Sequence, residues 1–162
     1  MSESIKPDWR LISSNPAHFL AFGLGTGLSP KAPGTVGTLV GFPLYFALAA
    51  VLPLPGVLGA LLLAFVVGVK LCDLAGQAVG EVDHGGIVWD EIVAMALVLC
   101  FTPAGLGWWI AAFAAFRFFD ILKPWPIRYF DRHWKNGFGV MFDDLLAAGY
   151  AIVVIVLAHL WI

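Results

Sequence analysis

Residues 38–69 read TLVGFPLYFALAAVLPLPGVLGALLLAFVVGV, a run without a single Asp, Glu, Lys or Arg. Pro53 and Pro55 interrupt it near its middle, and proline is poorly tolerated inside a helix but common at helix ends. The run therefore predicts two apolar helices joined by a tight turn. Residues 92–116 repeat the pattern, uncharged and broken by Pro103, Gly105 and Gly107, which predicts a second, shorter hairpin. A last run, residues 145–162, carries no charge apart from one that His159 can take up and predicts a final spanning helix. A full span takes about 20 apolar residues, and each hairpin arm offers fewer, so some arms are expected to re-enter or to start below the head-group plane.

Outward from these runs, the charges fall in three windows: up to Lys31, from Lys70 to Glu91, and from Arg117 to Asp144. Two hairpins plus one helix put all three on one side of a bilayer. Arg117, Lys123, Arg128, Arg132 and Lys135 gather there with Lys6, Arg10 and Lys31, and the positive-inside tendency makes that side cytoplasmic. Composition agrees with a chain dissolved in lipid. Of 162 residues, 60% are hydrophobic and 12% charged, and the mean hydropathy is +0.90. A compact soluble bundle of this size would have too little polar surface to cover itself. The expected fold is all-α: a polytopic membrane helical bundle of two apolar hairpins plus a C-terminal helix, with a cytoplasmic-face active site. One domain is expected over 1–162, with 1–15 a flexible cytoplasmic arm, since the N-terminus lacks the pattern of a cleaved secretory signal. A net charge of −2 without a basic, aromatic-interleaved stripe argues against nucleic acid. Cys72 and Cys100 sit in or beside apolar runs and read as core residues, not as a disulfide framework.

Four segments could carry chemistry. GLGTGLSPKAPGTVGTL, residues 23–39, combines glycines, which let backbone N–H groups converge on an anion, with Thr26, Ser29, Lys31 and Thr35 as further donors. It lacks the Walker A spacing, which argues against a nucleotide triphosphatase, and it equally suits a glycine-rich turn into a tightly packed helix. EVDHGGIVWDEIVAM, residues 81–95, sets Asp83, His84, Asp90 and Glu91 before an apolar run with no base among them. Unpaired carboxylates beside a low-dielectric region are costly unless a positive charge such as a metal ion neutralises them. Asp83 reads instead as a solvated acid at a helix start. FRFFDILKPWPIRYFDRHW, residues 116–134, spaces Arg117, Asp120 and Lys123 by three, a column on one helical face suited to arginine on phosphate and aspartate on metal. Asp131 and Arg132 read as surface pairing and attraction to anionic lipid. GFGVMFDDLLAAGY, residues 137–150, puts Asp143 and Asp144 before the final apolar helix, as Asp90 and Glu91 precede theirs. Capping of a helix start is the simpler use of such a pair, but two pairs plus Asp120 also supply the oxygen ligands Mg²⁺ prefers.

Together, GTGLSPKAPGTVGTL, HGGIVWDEIVAM, FRFFDILKPWPIRYFDR and GFGVMFDDLLAAG, in that order from Asn15 onward, resemble the phosphatidylglycerophosphatase A family. The WDE, D-x-x-KPWPI and DD elements are specific at their matched spacing, though each alone is weak. The resemblance implies an all-α, Mg²⁺-dependent enzyme of the bacterial inner membrane. Its implied reaction is hydrolysis of phosphatidylglycerophosphate to phosphatidylglycerol and inorganic phosphate in phospholipid biosynthesis.

On that basis Asp90, Glu91, Asp120, Asp143 and Asp144 are expected to gather Mg²⁺, with water or an aspartate as nucleophile. Lys31, Arg117, Lys123, Thr26, Ser29 and Thr35 are expected around the substrate phosphate, and His84 is a candidate proton donor to the leaving group. A Cys-x₅-Arg phosphatase loop is absent, because Ala78 and Leu106 stand where arginine would be needed. The D-x-D-x-[TV] start of aspartate-nucleophile phosphatases is missing as well. Two rivals remain: a small ion-coupled carrier, which needs ionisable groups near mid-span, and a non-catalytic anionic-lipid-binding membrane protein, which does not need five carboxylates.

Overall fold

A computed structural model describes residues 5–162, and among them it contains α-helices and one 3₁₀ segment but no strand. Two short helices open the chain, α1 (Trp9–Ser13) and α2 (Pro16–Ala21), each started by a side-chain cap. Asp8 Oδ1 accepts from the Leu11 N–H, and Asn15 Oδ1 from the Ala17 N–H. The expected flexible arm is thus helical across part of its described residues. Ile12 is fully buried, and the Ile5 N–H donates to the Val79 carbonyl at 2.9 Å, because apolar side chains on α1 have a core to enter. Residues 1–4 of that arm lie outside the described residues.

The 3₁₀ segment Gly23–Leu28 leads into α3 (Pro33–Val51), and the break expected at the prolines is Leu52–Pro53, after which α4 (Leu54–Val79) begins. The second apolar run forms α5 (Trp89–Cys100) and α6 (Leu106–Leu122). A short α7 (Ile127–His133) precedes α8 (Gly137–Trp161). Three helices, α3, α4 and α8, are long and apolar enough to cross a membrane. At 1.5 Å per residue, α5 is only about 18 Å long. It is instead the core helix, with eight of its twelve residues buried, packed among α3, α4, α6 and α8.

The hairpin partners are not each other's main neighbours: α3 lies chiefly against α5, and α6 against α8. Gly41 permits the first of these contacts, since a Cβ there would come 2.9 Å from the Ile92 carbonyl oxygen. Two cross-ties fix the starts of the acid-bearing helices against α4. Trp89 Nε1 donates to the Ala64 carbonyl at 3.0 Å, and the Gly137 N–H donates to Asp73 Oδ1 at 2.6 Å. Away from these contacts the long helices show large apolar side chains outward, among them Leu62, Leu63, Val66, Val153 and Leu157. This is the surface of a membrane protein.

Candidate active site

At one end of the bundle a cleft is lined by the starts of α3 and α5, the end of α6, and the second turn of α8. Asp90 and Glu91 stand in the first turn of α5, and Asp143 and Asp144 lie two turns into α8. Asp90, Asp143 and Asp144 are buried, at 7%, 4% and 3% exposure, a rare state for carboxylates. Asp90, Glu91 and Asp144 each offer an oxygen such that all three lie within 4.8 Å of one another. Asp90 Oδ1, Glu91 Oε2 and Asp144 Oδ2 are buried and accept no hydrogen bond. Three anionic groups this close repel strongly in a low-dielectric setting, so the donor set fits a hard divalent cation.

The other two expected carboxylates are engaged by bases. Asp120 pairs with Arg117 Nη1, which also reaches Glu91 Oε1 and Thr38 Oγ1, each at 3.5 Å. Asp143 Oδ2 accepts from Lys123 Nζ at 2.6 Å, and Asp131 Oδ1 accepts from the same ammonium at 2.7 Å. Lys123 does not extend the expected helical column. It caps α6 with φ of 46°, because the following Pro124 disfavours a right-handed helical residue before it. That reversal turns it toward α7 and α8. Burial alone would lower the pKa of the Lys123 ammonium, but the Asp143 charge and the hydrogen bonds to Asp131 and Asp143 outweigh it and leave it above its ordinary value. Burial would raise Asp131, yet the hydrogen bond and charge of Lys123, with Lys135 behind them, hold it below the usual carboxylate value.

The glycine-rich stretch meets the cleft through Ala32, Pro33 and Gly34, and none of Thr26, Ser29, Lys31 and Thr35 lines it. Thr26 Oγ1 donates to the Gly23 carbonyl and Ser29 Oγ to the Lys31 carbonyl, each at 2.8 Å, while Lys31 is exposed. Gly34 is the residue that matters there. A Cβ on it would collide with Glu91 Oε1 and come 3.3 Å from Arg117 Nη1. His84 Nδ1 accepts from the Gly86 N–H at 3.0 Å and so closes its own turn, outside the cleft lining. Asp83 does line the cleft, from a loop that ends six residues later at the start of α5, so it caps no helix. Asp131 and Thr38 join the site's hydrogen bonds as well: Asp131, read above as surface pairing, accepts from Lys123 at the cleft, and Thr38 stands inside the glycine-rich segment with nothing in the sequence to single it out.

Fold and cleft define an all-helical membrane protein with a buried carboxylate cluster flanked by bases. The profile of the family described as Phosphatidylglycerophosphatase A matches residues 19–159. A protein named Phosphatidylglycerophosphatase A in Haemophilus influenzae is 50% identical over 149 residues, covering 91% of this chain and 91% of its own. One of the same name in Escherichia coli is 45% identical over 139 residues, covering 85% and 80%. The chain belongs to the phosphatidylglycerophosphatase A family, a family of phosphatases. No solved structure matches it.

Proposed function

We propose that this chain hydrolyses phosphatidylglycerophosphate to phosphatidylglycerol and inorganic phosphate, with Mg²⁺, at the cytoplasmic face of the bacterial inner membrane. The observation that carries the reading is the convergence of Asp90, Glu91 and Asp144, with three buried oxygens lacking any donor, in a chain of this family. These three residues would hold the ion. Bound there, it would offset charge on the phosphoryl oxygens and lower the pKa of a water, which makes that water a better nucleophile toward phosphorus. Asp120 and Asp143 are positioning residues in this scheme, since each holds a base at the rim. Lys123 has three N–H donors and gives two to Asp131 and Asp143, which leaves one for a substrate oxygen. Arg117 Nε is buried without an acceptor and is a second donor for phosphate. In the reaction the bond from phosphorus to the glycerol oxygen gives way to one from the water oxygen, and the proton that the water gives up ends on the leaving glycerol oxygen.

The cytoplasmic orientation is supported by Lys123, Arg128, Arg132 and Lys135, which follow the cleft end of α6 and precede α8. A carrier is the weaker reading, because the acids cluster toward one end of the long helices. The test is phosphate release from phosphatidylglycerophosphate by the purified protein. Release in Mg²⁺ that stops on chelation and returns with added Mg²⁺ is expected. No release in Mg²⁺ contradicts the substrate, and equal release in chelator contradicts the metal.

A further inference from the structure

A second cavity, of about 210 Å³, opens between α4, α5 and α8 on the lipid-facing side. Leu58, Leu61, Leu62 and Phe65 bound it on α4, over roughly 10 Å at the helical rise. Its α5 wall is Val93, Ala94 and Leu97. Asp90 is the one charged residue in its lining, and Asp90 also lines the acidic cleft. Asp90 is more than nine-tenths buried, and its Oδ1 has no hydrogen-bond partner. The groove is therefore apolar from a mouth at Leu62, 65% exposed, to an end on the carboxylate cluster.

We propose that this groove holds an acyl chain of the lipid whose phosphorylated head group occupies the cleft. The proposal rests on the lipid-phosphatase reading above. A transmembrane helix of a partner, about 10–12 Å across with its side chains, is too wide for a cavity of this volume. An extended hydrocarbon chain is not. A comparable groove between α3 and α6, lined by Leu39, Phe42, Leu106, Trp109, Ile110 and Phe113, has no polar end and does not touch the cluster. Lipid tails are as apolar as the groove wall, so occupancy adds little hydrophobic gain. What it supplies is position: a chain seated beside Asp90 sets the depth and rotation at which the phosphate meets the carboxylates and bases.

The test compares long-chain phosphatidylglycerophosphate with its dibutyryl form, whose chains are too short to fill the groove, in mixed micelles with Mg²⁺. Leu62→Trp closes the mouth at an exposed position that cannot disturb the core, Ala94→Phe fills the floor, and Ile110→Trp fills the other groove. The wild type is expected to cleave both forms and to prefer the long-chain one. Leu62→Trp and Ala94→Phe are expected to lose roughly ten- to a hundredfold in kcat/KM on the long-chain form, with a smaller loss on the short one. Ile110→Trp is expected to keep the wild-type preference. No preference in the wild type, an equal loss on both chain lengths, or the same loss in Ile110→Trp overturns the groove. No phosphate release from either lipid by the wild type overturns instead the reading on which it rests.

Discussion

Asp90–Glu91 and Asp143–Asp144 look alike in sequence, each an acidic pair just before an apolar run, yet the molecule uses them differently. Both members of the first pair enter the carboxylate cluster, whereas in the second only Asp144 does and Asp143 turns to Lys123. The cause is their place on the helix. Neighbouring residues project about 100° apart. In the first turn of α5 Glu91 can still bend toward the cleft, beside Gly34 and Arg117. Two turns into α8 the backbone is fixed on both sides, so one acid faces α5 and the other faces the end of α6. An acidic pair thus brings one carboxylate or two to the cluster according to how deep in its helix it sits.

Substitutions can break this comparison. Asp144→Asn removes a cluster oxygen and is expected to lower kcat/KM for phosphate release by roughly a hundred- to a thousandfold, with expression retained. Asp143→Asn leaves the cluster intact and frees Lys123 to Asp131 alone; steady-state kinetics should show a loss of roughly ten- to a hundredfold, always smaller than that of Asp144→Asn. Equal losses would mean that the two acids share one role. Gly34→Ala drives a methyl group into Glu91 Oε1 and should cost roughly tenfold in activity, because a flexible carboxylate can shift but the cluster geometry shifts with it.

The smallest effect concerns Asp131, outside the cluster. Its carboxyl pKa is lower in the folded chain than unfolded, so its stabilising contribution is fully present above the unfolded value of about 3.9 and is lost as pH falls through the folded value. Asp131→Asn should cost less than about 1 kcal/mol at neutral pH. In thermal melts the gap between the variant and the wild type should close on acidification below that range.

Much of this was readable in the sequence because apolar runs, prolines and charge gaps are local signals. The uncharged stretches became helices, Leu52–Pro53 became the first turn, and Asp90, Glu91, Arg117, Asp120, Lys123, Asp143 and Asp144 all line one cleft. What could not be read was direction. The left-handed residues Ala32 and Lys123, each just before a proline, redirect the chain at the cleft edge. The first leaves Thr26, Ser29, Lys31 and Thr35 outside the lining; the second swings Lys123 off its helical column to join Asp131 with Asp143. Gly34 gives no signal of its own, since its role is to be absent where Glu91 and Arg117 need space. Ile12 and α1 fell within the arm expected to be flexible because one buried isoleucine in a short helix has no periodicity to announce it.

The central claim is that Asp90, Glu91 and Asp144 together bind one divalent cation. It is tested most directly by titrating purified protein with Mn²⁺, a paramagnetic substitute for Mg²⁺, and counting bound ions by electron paramagnetic resonance in the wild type and in Asp90→Asn/Asp144→Asn. A saturable site in the wild type, displaced by Mg²⁺ and missing from the double variant, is the expected result. Undiminished Mn²⁺ binding by the double variant, or none by the wild type, would contradict it.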